Sequence, residues 1–381
     1  MSFKRVFLYI LPLIILISLT SCIKTSELSN KNESITADIV ISSDDEVSSD
    51  TNSKETTEPV EDVQEEIEEI VLPYKNPLTG LPCAVDYSTS RPMAIMINNI
   101  KKATPQAGIS CADVIYECTV EGGITRLMAL VCDYENLPQI GSIRSSREYY
   151  LDIAQSHDAI YTHCGGSETA YSEINKRKID NIDGVNGSYA ESSAFWKDKE
   201  RLRTMGYEHA SVSNGYSLSK AVSDMKFRTQ LKENFKSPLV FREEKIDISS
   251  DFASNITVKH SYYAISDFIY DVIAKTYKKS QFSAPHIDSN TERQLEFENI
   301  LVLSANYYNT NDQYAHLILD FTGTGKGYYF SGGKMQKIIW KKSDVSTPYS
   351  LYCEDGVTAL LLNPGKSYIA IINSLQNVTI Y

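Results

Sequence analysis

The run Pro92-Met93-Ala94-Ile95-Met96-Ile97, bounded by Arg91 and by Asn98-Asn99, is apolar at every position. A short run with no polar face is the pattern of a strand buried on both sides. Two further β-rich runs follow, DVIYECTV at 113–120 and ITRLMALVCD at 124–133, with only Glu121-Gly122-Gly123 between them. That gap predicts a tight hairpin. After QIGSI, the stretch Ser145-Ser146-Arg147-Glu148 predicts a helix to about His157, because a serine cap and a first-turn carboxylate are helix-start signals. Residues 159–164 read as a short strand ending at Gly165-Gly166, and Ser167 can cap a second helix, SETAYSEINKRK. A third helical stretch, SLSKAVSDMKF, begins at Ser217. Strands alternating with helices predict a layered α/β domain over 72–236.

Beyond Ser237-Pro238 the pattern changes to strands: NITVKHSY, FIYDVIAKTY, NILVLSANYY, HLILDF, GYYFSG, KIIWKK, ALLLN and SYIAII. Gly332-Gly333, Asp355-Gly356 and Pro364-Gly365 supply turns between them. The expected fold class is α/β: a layered N-terminal α/β domain joined to a mostly β C-terminal domain, 237–381. The second domain is expected to be sandwich-like or a twisted meander, and its strands could also cross the boundary to make one sheet with the first.

The chain starts differently. Lys4 and Arg5 precede an apolar run from Val6 to Leu19, and Leu19-Thr20-Ser21-Cys22 closes it. A basic start, an apolar stretch and small residues make a secretory signal peptide (1–21). The terminal cysteine matches a bacterial lipobox, which implies cleavage before Cys22 and lipid attachment to its sulfur. The apolar run falls short of the ~20 residues a spanning helix needs. Residues 22–71 then read as a lipidated cysteine and an acidic tether. Residues 23–70 carry 15 acidic and 3 basic side chains, which is all of the chain's net −12. Such composition cannot bury enough apolar surface to fold, and repulsion extends it beyond the ~35–40 Å span of a neutral flexible chain. The expected place is the extracytoplasmic face of a bacterial cell membrane, lipid-anchored, with an anionic envelope polymer or an envelope protein as partner and no nucleic acid.

No catalytic motif stands up, and no cofactor is expected. Gly365-Lys366-Ser367 lacks the upstream glycine of a phosphate-binding loop, and there is no G-x-S-x-G elbow. Gly323, Gly325 and Gly327 have no following helix and read as a turn. His163 and Cys164 are neighbours on a strand and point to opposite faces, so they form no dyad. His286 and Asp288 read as turn chemistry. Cys83, Cys111, Cys118, Cys132, Cys164 and Cys353 match no metal spacing and read as free thiols, with one disulfide possible in an oxidising exterior.

Several segments carry a family resemblance. They are Asn76-Pro77-Leu78-Thr79-Gly80-Leu81, Arg91–Asn99, Pro105-Gln106-Ala107-Gly108-Ile109, Glu121-Gly122-Gly123-Ile124-Thr125-Arg126-Leu127, Gly141-Ser142-Ile143-Arg144-Ser145-Ser146-Arg147 and His163-Cys164-Gly165-Gly166-Ser167. In this order the chain resembles the YerB-like bacterial lipoproteins, whose domains have no assigned activity. Pro285-His286-Ile287-Asp288 and Trp340-Lys341-Lys342 extend the likeness into the second half. The resemblance implies a lipoprotein with two joined domains and supplies no chemistry.

The chemistry must come from residues. Arg126 follows the diglycine turn, while Arg144 and Arg147 flank Ser145-Ser146 at a strand-to-helix junction. Free amides at a helix start attract anions, and arginine forks bind phosphate or carboxylate. Arg126, Arg144, Arg147, Ser145 and Glu121, with the Gly165-Gly166-Ser167 loop, are therefore the candidate ligand-binding residues. Three readings remain open. The arginines bind an anionic envelope ligand; they serve an enzyme acting on phosphorylated envelope material; or they pair internally with Glu117, Glu121, Glu148 or Asp152 in a scaffold.

Overall fold

The computed structural model describes residues 72–381, which lie in one compact unit. The signal peptide, Cys22 and the acidic tether fall outside the described residues. The apolar run at 92–97 becomes β1 (Met93–Asn99), buried at every position. β2 (Val114–Thr119) and β3 (Thr125–Val131) form the expected hairpin around Glu121–Gly123. β4 (Ile160–His163) and β5 (Asn181–Asp183) complete the first half's contribution to a ten-stranded sheet. The second half supplies β6 (Asn299–Ser304), β7 (Gly323–Ser331), β8 (Lys334–Lys342), β9 (Ser350–Cys353) and β10 (Ser367–Ile372). The order across the sheet is β9-β8-β7-β6-β10-β2-β3-β1-β4-β5.

The two halves join at β10. It runs parallel to β6 on one side (Ile300 opposite Tyr368) and parallel to β2 on the other (Ala370 opposite Glu117). The long connection from 225 to 254 has no regular helix or strand, only isolated bridges such as Phe241 to Leu362.

Side chains alternate between two cores, as the period-two geometry of strands requires. Ala94, Met96, Tyr116 and Met128 face helices α1 (Glu148–Ser156) and α2 (Glu168–Arg177), where Tyr149, Tyr150, Ile153 and Ile174 close the layer. Met93, Ile95, Ile97, Ile115 and Ala129 face α3 (Gly215–Asp224) and a second, six-stranded sheet built from further strands of the second half. Among the described residues no helix is long and apolar enough to cross a membrane.

Several local expectations are corrected. α1 begins at Glu148 with Arg147 at its N-cap and no side-chain cap, so neither serine before it caps the helix. α3 begins at Gly215, not Ser217, because Asn214 accepts from the Ser217 amide. Gly215 is required there: a Cβ would lie 2.2 Å from the Glu135 carbonyl. FIYDVIAKTY is a hairpin, its strands Ile265–Asp271 and Thr276–Gln281. Asp271 turns the chain by accepting from the Ile273 and Ala274 amides. ALLLN makes isolated bridges only. Gly325 and Gly327 lie inside β7 rather than in a turn, and Gly325 leaves room for the Trp340 indole, which a Cβ would meet at 2.4 Å.

Candidate functional site

The diglycine turn brings Glu121 back over the start of β3. Gly122 and Gly123 both have positive φ (70° and 73°), which only glycine adopts without strain. Glu121 then receives two guanidinium groups. Arg126 donates to its Oε1 at 3.1 Å and to the Ser145 carbonyl at 2.7 Å. Arg147 donates to Oε2 at 3.0 Å, to Oε1 and to the Ser146 carbonyl. Burial and the neighbouring Arg147 charge push the Arg126 guanidinium down to about 10. Burial alone would raise the Glu121 carboxyl, but the Arg147 hydrogen bond and the two arginine charges hold it below its usual range.

Arg144 turns away from this cluster. It donates to the exposed Glu208 carboxylate at 3.2 Å. Ser145 and the Gly165-Gly166-Ser167 loop are brought together by backbone pairing: Cys164 donates to the Arg144 carbonyl, Ser146 to Gly165 and Ser167 to Ser146. Gly165, at φ 78°, packs against the Ser145 hydroxyl, and its amide donates to Asp183. Ser167 caps α2, as its sequence position predicts. His163 is fully buried, with Nδ1 on the Gly165 carbonyl (2.8 Å) and Nε2 on Asn181 Oδ1 (3.0 Å). Both ring nitrogens are engaged inside the fold, so neither is turned toward a nucleophile.

A larger polar constellation escaped the sequence reading. Glu117, on β2, is fully enclosed between the two sheets. Its Oε1 accepts from Thr125 (2.7 Å) and Asn99 (3.2 Å), and its Oε2 from Tyr368 (2.6 Å) and Ser266 (2.9 Å). His260 Nε2 lies 3.1 Å from the same oxygen. Buried Lys279 stands nearby, its ammonium donating to Gln281 Oε1 and lying 5.2 Å from the centre of the Tyr368 ring. Burial would raise the Glu117 carboxyl, but His260, Lys279 and the Tyr368 hydroxyl hold it well below the carboxylate range. Burial brings the Lys279 ammonium down to about 8.

His286 and Asp288 belong to the same seam rather than to a simple turn. The Gln106 Nε2 donates to the Asn98 carbonyl, which fixes Gln106 Oε1 as the acceptor for His286 Nε2 at 2.8 Å. Asp288 accepts from the Gly108 and Ser110 amides and from the Ser110 hydroxyl. The six cysteines of the described residues are free thiols.

Residues 78–228 match the N-terminal domain, and 255–369 the C-terminal domain, of a family described as protein of unknown function DUF3048. The chain belongs to this family. It is 27% identical over 314 residues to the Bacillus subtilis (strain 168) protein named "Putative lipoprotein YerB", covering 80% of this chain and 88% of that one. The crystal structure of the Bacillus subtilis YerB protein superposes with a TM-score of 0.69 at 26% identity, over 81% of this chain and 99% of the other. The DUF3048 matches begin beyond the acidic tether and include most strands of both sheets. The YerB-like resemblance and the fold class are thereby established, and the relative's name is that of a lipoprotein.

Proposed function

We propose that this DUF3048 protein is lipid-anchored through Cys22 on the outer face of a bacterial cell membrane, where it binds an anionic group of the envelope without catalysis. The observation that carries the ligand reading is electrostatic. Two buried guanidinium groups share the single Glu121 carboxylate beside a helix start that has no side-chain cap. Arg126 and Arg147 use only part of the five donors each guanidinium offers. A bound phosphate would complete the charge balance, with Arg144 swinging from Glu208 to supply the solvent-facing contact. In this reading 72–236 and 237–381 are the two parts of one folded body, and 22–71 is the spacer that carries it off the membrane.

Pyrophosphate or a glycerol-phosphate oligomer at about 100 times its dissociation constant should stabilise the protein by ~2.7 kcal/mol. A thermal-shift assay would register that gain, and Arg144→Ala should remove it. The substitution itself should cost little, because the Arg144–Glu208 pair is exposed. A wild-type melting point indifferent to every anion tried would favour the scaffold reading, in which Glu121 simply ties the hairpin turn to α1. Anchoring has its own test. Cys22→Ser should yield a product that takes up no radiolabelled fatty acid and leaves the membrane fraction; continued labelling would refute the anchor.

A further inference from the structure

A groove of about 610 Å³ lies between the α1–α2 face and the hairpin of strands Asn306–Asn309 and Leu317–Asp320. Its volume is in the range of small-ligand sites. The hairpin wall is apolar: Tyr308 and Ile318 stand opposite each other in register and are 51% and 46% exposed. The helix wall is acidic. Asp152 and Glu173 are both satisfied by Arg177, at 2.5 and 2.6 Å, and Glu173 also by Lys176. Glu148 and Asp320 are not. Each accepts only from a hydroxyl, that of Thr169 (2.9 Å) and of Thr322 (2.7 Å), and neither has a cationic partner among the described residues.

Two unpaired carboxylates, one on each wall, select a cation and reject a phosphate. An exposed tyrosine ring beside them adds a face over which an ammonium is attracted. Hydroxyl groups on the rim, from Thr169, Ser172 and Thr322, suit a hydroxylated ligand. We propose that this groove binds an amine-bearing glycan, its sugar rings against Tyr308 and Ile318 and its ammonium groups answered by Glu148 and Asp320. The groove adjoins the arginine junction, since Glu148 follows Arg147 and Thr169 bridges it to Ser167, but none of its proposed contacts requires an anion there.

The test is calorimetric titration of the full-length chain, in detergent micelles, with a β-linked glucosamine tetramer. Binding is expected, and it should weaken several-fold as salt is raised from 0.05 to 0.5 M, because its contacts are ionic. Glu148→Gln with Asp320→Asn should weaken it about tenfold at an unchanged melting point, and Tyr308→Ala should weaken it too. Saturating pyrophosphate should leave it intact. The N-acetylated tetramer, which lacks the charges, should bind at least several-fold more weakly. The proposal is overturned by silence with the glucosamine tetramer, by equal affinity for the acetylated form, by full affinity in the double variant, or by tetralysine binding as tightly as the sugar.

Discussion

A chain ending at Ser237 is expected to be unfolded or aggregated, although it retains all of the first domain. Such a truncation removes β10, a fully buried strand that pairs with β2 from Val114 to Cys118. An uncovered, flat, apolar edge is a template for pairing with another chain. The same cut strips the six-stranded sheet from one face, leaving Ile95, Ile97, Ile115 and Ala129 without much of their core. Glu117 would lose Tyr368, Ser266, His260 and Lys279 at once. Size-exclusion chromatography and circular dichroism decide the matter: a monomeric fragment with a cooperative melt would show that the first half folds alone.

The second large effect is expected at Glu117. Glu117→Gln keeps the shape but takes from buried Lys279 the stronger of its two carboxylate counter-charges, Asp267 being the other, which costs on the order of 3 kcal/mol. In a domain of this size that lowers the melting temperature by on the order of 10 °C. Adding Lys279→Met removes the stranded ammonium, so the double variant should be more stable than Glu117→Gln alone, a coupling a double-mutant cycle would measure. A shift of about 1 °C or less in the single variant would mean that the charges do not matter to the seam.

Lys279 also sets a pH signature. Its folded-state value of about 8 lies below its ordinary 10.5. From about pH 8 upward the folded protein has released a proton that the unfolded chain still holds, so stability should rise with pH. From about pH 9 the buried thiols of Cys118, Cys132 and Cys164, and from about pH 10 the buried tyrosines, all held above their usual range by burial, oppose the trend. In Lys279→Met the rise should be about halved, because buried Lys342, also brought down to about 8, supplies the rest.

Much of the first half was legible because its signals are local. The apolar run of β1, the diglycine hairpin and the Ser167 cap each declare themselves within a few residues. The joining strand could not be read that way. SYIAII looks like any buried strand, and nothing in its own pattern names β2 as its neighbour. The hairpin in FIYDVIAKTY was hidden because its tip carries Val272 and Ile273, both exposed, with no glycine or proline to mark the turn. Lys279 was missed for a different reason. Its charge suggests solvent, yet it alternates in phase with Tyr277 and Gln281, both of which point inward. Parity along the strand outweighed residue type. Arg144 and Arg147 stand out at a strand-to-helix junction and Arg126 beside the diglycine turn, with Glu121 among their four possible partners. That Arg126 and Arg147 share it depends on how far the turn folds back, which spacing does not encode.

The seam at β10 also governs when the protein can become itself. Tyr368 and Glu117, bonded in the finished molecule, are 251 positions apart in the chain. At ~5–20 residues per second of synthesis, β2 waits on the order of tens of seconds before its parallel neighbour exists. If the first half is unfolded without β10, as expected above, it stays open to proteases and holding chaperones throughout that interval. The strand at the middle of the sheet is among the last to arrive, so the sheet closes at its centre after its flanks exist.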